Sequence, residues 1–146
     1  MKKFCSIILL CCSLIAFGQE SIIKTARNYI ESRCNKAFDE LLFASVSEQK
    51  MYHIKDLKII ETYTISTSAY GIGSKAGSNK TPQGLHKVAA KYGDDTPING
   101  RMIGRVFYGE IATIYTDNTK SKTDDVTSRV LWLDGLEKGL NKGEGI

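Results

Sequence analysis

The sequence predicts a mostly β protein (α+β) with one helix in front of the strands. Three observations carry that reading. Apolar residues recur at three- and four-residue spacing from Ser21 to about Phe38. From Leu41 onward that period gives way to short runs rich in Val, Ile, Tyr, Thr and Phe. The rest is punctuated by glycine, with Gly71, Gly73, Gly77 and Gly84 falling in one loop-like stretch.

The first residues read as an export signal rather than as part of the fold. Met1-Lys2-Lys3 is a positive start, and the apolar run Phe4–Phe17 is too short for a comfortable membrane span. Ala16 and Gly18 put small residues where a signal peptidase reads, so residues 1–18 are expected to be removed. Cys12 follows Cys11 rather than a small residue, which argues against a lipid-modified cysteine. The expected protein is exported to the periplasm or cell envelope, with no stable membrane span after cleavage.

Removing 18 of 146 residues leaves 128, about one domain. Loss of Lys2 and Lys3 lowers the formal charge from +4 to +2, too little to argue for nucleic acid or an anionic membrane surface. Cys5, Cys11 and Cys12 leave with the signal, so Cys34 alone remains and no intrachain disulfide is expected. The domain must be held by packing.

Residues 19–40 form the expected helical segment. Ile22, Ala26, Tyr29, Ile30, Ala37 and Leu41 share one face, Lys24, Arg27, Glu31 and Lys36 the other, and Ser21 is placed to cap the start. Cys34 lies on this helix with no histidine beside it, which fits packing better than a nucleophile. Three strand-like runs follow, Leu41–Ser47, Lys50–Ile54 and Lys58–Thr67, with Ser47-Glu48-Gln49 and Lys55-Asp56-Leu57 sized for hairpin turns. His53 sits mid-strand with no second ligand near it in sequence, so a metal role is not expected.

This meander leads into the stretch from Ser66 to His86, predicted to be a shaped, exposed loop because its glycines permit positive φ. Gly71-Ile72-Gly73 and Gly77-Ser78-Asn79-Lys80-Thr81 only imitate phosphate-binding loops. Ser78 and Asn79 separate Gly77 from Lys80, and Pro82 with Gly84 favours a turn where such loops need a helix. No nucleotide is expected. Leu85–Tyr92 reads as a strand and a turn, Gly93–Pro97 as a polar loop, and Arg105–Thr116 as one or two strands broken at Gly109-Glu110. Asp117–Asp125 lacks the sixth-position glycine and twelfth-position glutamate of a calcium loop, so a solvated loop is predicted and no metal. Val126–Leu133 reads as a buried-type strand holding the single tryptophan, Trp132. The tail beyond it carries glycines without an apolar pattern and reads as an unfinished loop.

Two of these runs carry a resemblance. Ser78-Asn79-Lys80-Thr81-Pro82-Gln83-Gly84-Leu85-His86, preceded by Ser66-Thr67-Ser68 and the loop Gly71 to Gly77, contains a Thr-Pro-x-Gly element. Arg129-Val130-Leu131-Trp132-Leu133-Asp134-Gly135-Leu136-Glu137 is the second run. Together they resemble the L,D-transpeptidases of the YkuD type, in their exported murein-modifying branch. The likeness runs from about Leu42 to the C-terminus, giving residues 41–146 as a partial catalytic domain of β-sandwich type.

The resemblance implies a cysteine thiolate that attacks a peptidoglycan stem peptide at the diaminopimelate or equivalent position and expels the terminal D-amino acid. An amine of a second stem then resolves the acyl-enzyme, with a histidine as base, backbone amides holding the oxyanion, and no metal or organic cofactor. Peptidoglycan stem peptides are the expected partners. The family's base and nucleophile stand in a His-Gly element and a Ser-x-Gly-Cys element, both C-terminal to the Arg-Leu-Trp-Leu run. After Glu137 this sequence has nine residues and neither His nor Cys among them. His86 occupies a variable position of the Thr-Pro-x-Gly element, and Cys34 and His53 match no catalytic motif. No catalytic residue is carried over, and the chain is expected to be incomplete at its C-terminus and inactive as written. Thr81, Pro82, Gly84 and Arg129 are the expected substrate-side or loop-shaping positions. The alternative is a non-catalytic envelope protein that binds peptidoglycan or a partner.

Overall fold

The structure is a computed structural model that describes residues 20–33, 38–143 and 145. The chain divides into two compact units, Met1–Pro82 and Gln83–Ile146. The expected signal segment, residues 1–18, and Cys34 lie outside the described residues. No helix among those described is long and apolar enough to cross a membrane. The fold is mostly β, with one helix and antiparallel sheets, as the sequence predicts.

In the first unit, helix α1 (residues 20–33) precedes the meander β1 (Glu40–Ser45), β2 (Lys50–Lys55) and β3 (Lys58–Thr64), paired in that order. The chain is already helical at Glu20, the first described residue. Ser21 is therefore within the helix rather than its cap, and its carbonyl accepts the Thr25 hydroxyl at 2.8 Å. At the other end Phe38 is no longer helical. Ala26 on the helix and Tyr52 and Ile54 on β2 form a small buried core. Ile22, Ile23, Leu41, Phe43 and Ile59 close around it. Phe43 and Tyr52 are register partners, and their rings stack with centroids 6.4 Å apart. Burial pushes the Tyr52 phenol up. Beside this core, α1 leaves an apolar groove of about 270 Å³ against the sheet, lined among others by Ile23, Ala26, Leu41, Ile54 and Leu57.

Both hairpins fall where the sequence places them. The second is tighter than three residues, because Asp56 and Leu57 both take positive φ (47° and 57°), as a two-residue type I′ turn requires. On the exposed side of β1, the Glu40 carboxylate takes His53 Nε2 at 2.6 Å and Lys55 Nζ at 3.2 Å. Those two partners hold its pKa below the ordinary glutamate range, His53 contributing most. A carboxyl depressed in the folded state stabilises above its unfolded pKa and loses that contribution as pH falls through the folded value. Thermal midpoints of the protein and of Glu40→Gln should therefore differ slightly at neutral pH and converge in acid. A difference that persists or grows in acid would contradict this, and the small size follows from exposure.

In the second unit, β4 (His86–Tyr92) pairs antiparallel with β8 (Val130–Gly135). A three-stranded sheet orders β6 (Val106–Ile111), β5 (Gly100–Ile103) and β7 (Val126–Thr127). Three expectations change here. First, β5 lies where the sequence shows no strand, and it joins β6 through Gly104-Arg105, both at positive φ. Second, Gly109 does not break β6. Arg101 faces the three residues Tyr108–Glu110, between the pairs Gly100↔Ile111 and Met102↔Phe107, so Gly109 with φ 96° supports a bulge.

Third, Val126–Leu133 is two strands. Ser128 at φ 63° turns the chain, so that β7 pairs with β5 and β8 with β4. Nor is β8 buried: Leu131, Trp132 and Leu133 are each about half exposed.

Candidate functional site

The stretch entered after β3 is an ordered loop rather than an open one. Gln49, at the end of the first hairpin turn, holds its entry: the side chain donates to Thr67 Oγ1 (2.8 Å) and accepts from Thr67 N (3.0 Å). Thr81 holds its exit. Its amide donates to Gly71 O (3.0 Å), its carbonyl accepts from Gly73 N (2.9 Å), and its Oγ1 accepts from Ser68 N (2.8 Å). Ile72 and Thr81 thus form an isolated parallel bridge. Positive φ at Gly71, Gly73 and Gly77 turns the loop, and the Lys80 stem lies against Gly73 where a side chain would stand.

Thr81 is therefore the residue that closes the loop. Thr81→Val removes one acceptor and leaves Ser68 N without its partner, which should cost about 1 kcal/mol. Amide exchange at Ser68 checks this directly, and unchanged protection there would show that Thr81 Oγ1 is dispensable.

Pro82 ends the first unit, and Gly84 belongs to the second. Gly84 has φ 90°, and a Cβ there would overlap Glu137 Oε2 and crowd Leu140 and Asn141. The cause is a clamp from the chain's last described turn. Glu137 Oε2 accepts from Leu85 N at 2.6 Å, and Asn141 Nδ2 donates to the carbonyls of Gln83 (2.9 Å) and Leu85 (3.0 Å). Asn141 Oδ1 in turn accepts from Glu137 N (2.9 Å), and the amides of Leu140, Asn141 and Lys142 all donate to Glu137 O. After β8 the chain forms a hydrogen-bonded turn over residues 137–142 where the sequence shows only a loop. Sequence reasoning missed Glu137 and Asn141 because their partners stand 52 to 58 residues away.

Arg129 is engaged elsewhere in the second unit. Its Nη1 donates to the carbonyls of Thr96 and Ser128, both at 2.7 Å, which ties the polar loop before β5 to the start of β8. Gly84 and Arg129 thus have separate partners. Arg101, which the sequence did not single out, uses its fork on Glu110 (2.7 Å) and Asp125 (2.6 Å). The Asp125 pair raises the guanidinium's pKa further, and Arg101 with Thr123 lowers that of Asp125.

The histidines are occupied too. His53 is on Glu40, and His86 Nδ1 lies 3.0 Å from Gly84 O, a geometry that puts the proton on Nδ1. Among the described residues no three of His, Cys, Asp and Glu converge as metal ligands do. The loop of the first unit and the Gln83–Leu85 segment of the second are each ordered by hydrogen bonds within their own unit.

The sequence profile of the YkuD family, the L,D-transpeptidase catalytic domain, matches residues 39–140, well over half of the chain. No curated protein and no solved structure matches it. The matched span begins just before β1 and ends inside the turn that clamps Gly84, so it takes in the meander, the glycine loop and both sheets of the second unit. This chain belongs to the L,D-transpeptidase catalytic-domain family.

Proposed function

We propose that this chain is the part of a cell-envelope L,D-transpeptidase-family protein that engages peptidoglycan stem peptides, and that residues 1–146 by themselves perform no acyl transfer. The observation that carries the reading is the joint presence of a family match over residues 39–140 and absence from the sequence of any His-Gly or Ser-x-Gly-Cys element. Without a thiolate and its base the acyl-enzyme cannot form, and removing such a pair from an enzyme leaves a small residue of its rate.

The binding form of this reading gains from the clamp around Gly84. Glu137 and Asn141 hydrogen-bond the backbone of Gln83 and Leu85 and give that segment a fixed shape, able to support a surface that binds. Export rests on Met1–Gly18 as a signal segment.

The test is incubation of the purified protein with tetrapeptide-bearing muropeptides and with intact sacculi. Intact mass should show no acyl adduct, no D-amino acid should be released, and the protein should co-sediment with sacculi. An adduct on Cys34 would overturn the non-catalytic part, and protein left wholly in the supernatant would overturn the binding part. The reading frames beyond codon 146 supply an independent check, since a His-Gly and a Ser-x-Gly-Cys element there would mark a catalytic protein whose site this sequence lacks.

A further inference from the structure

The second unit contains a third arginine whose guanidinium has a different setting. Arg105 stands in the β5–β6 turn at φ 72°, a conformation that glycine adopts freely and a long side chain does not. Its guanidinium lies 4.5 Å from the Trp132 ring centre and 5.2 Å from that of Tyr92. Those rings are diagonal neighbours on one face of the β4–β8 pair, since Ala90 opposes Trp132 and Tyr92 opposes Val130. Arg101 and Arg129 have their donors committed to carboxylates and carbonyls. Arg105, among the described residues, takes part in no salt bridge or hydrogen bond. It is exposed, and Trp132 is half exposed.

We propose that Arg105, held by Tyr92 and Trp132, is a subsite for a carboxylate of the peptidoglycan stem peptide. The inference rests on the function proposed above and adds the chemistry of one contact. A guanidinium lying on aromatic faces is restrained before any ligand arrives, and its N–H edge points in the plane, where a carboxylate meets it with two parallel hydrogen bonds. Because the rotamer is already restrained, less entropy is lost on binding. A single positive charge among aromatic rings matches a monoanion better than a phosphate dianion.

Trp132, the only tryptophan, reports on the site by its own fluorescence. The protein is titrated with the stem tetrapeptide, with its C-terminal amide, and with an unrelated tetrapeptide bearing a free carboxylate. The same titrations follow for Arg105→Gln and Arg105→Gly, the second chosen because glycine suits the turn and keeps the variant folded. The acid should shift Trp132 emission saturably, while the amide and both variants bind about tenfold or more weakly, the loss of one charge-assisted pair.

Unchanged affinity in Arg105→Gln and Arg105→Gly, or equal binding of acid and amide, would overturn the subsite and leave the stem-peptide reading standing. So would an emission that responds to no carboxylate. If the unrelated peptide binds as well as the stem and both depend on Arg105, the subsite holds and the stem-peptide reading fails.

Discussion

Gly84→Ala is expected to lower the stability of the second unit by about 3 kcal/mol, from left-handed strain and the loss of a short hydrogen bond together. Two effects act at once. The backbone at φ 90° is unfavourable for any L side chain, and the added methyl would overlap the Glu137 carboxylate, driving it off Leu85 N. Relaxation by swinging Glu137 away leaves the Leu85 amide unpartnered, and shifting the loop instead breaks both Asn141 bonds. Denaturant unfolding followed by Trp132 fluorescence measures the effect, because that residue lies in the same unit. A loss under about 1 kcal/mol would mean that the clamp is not a structural tie.

Asn141→Ala should reproduce part of the change without altering backbone strain. Gly135→Ala should be damaging too, since its methyl would run into the Asn141 carbonyl.

The second large effect is expected at Ile54→Ala, with a loss of about 2–4 kcal/mol in the first unit. Ile54 is 4% exposed and is one of three residues in a small core that joins α1 to the meander. Among the described residues the unit has few other buried apolar side chains to refill the space, so the cavity term should persist alongside the lost transfer energy. Trp132 belongs to the other unit. Near-ultraviolet circular dichroism of Tyr52, stacked on Phe43, or amide exchange along β2 reports it instead. Ile54→Val removes one methyl and should cost about 1 kcal/mol, and equal costs for the two substitutions would contradict a packed site.

What the sequence by itself determined was local. Period-3.6 and period-2 patterns placed α1, the β1–β2–β3 meander and both of its turns, because helix faces and hairpins are encoded by neighbours within a few positions. Thr81, Pro82, Gly84 and Arg129 were legible as members of two family runs, and the profile match across residues 39–140 agrees with that family.

Tertiary structure decided the rest. Strand β5 is four residues long and identifiable only by pairing with β6 and β7, and Arg105 in its turn lacks the second glycine that would have signalled a hairpin. The half-exposed face of Trp132 became legible only once Arg105 was placed over it. The turn after β8 was not legible because Glu137 and Asn141 are ordinary polar residues until Gln83–Leu85 come within hydrogen-bonding distance. Contacts between residues more than fifty positions apart leave no period in a sequence, and here those contacts hold the Thr-Pro-x-Gly element's glycine in place.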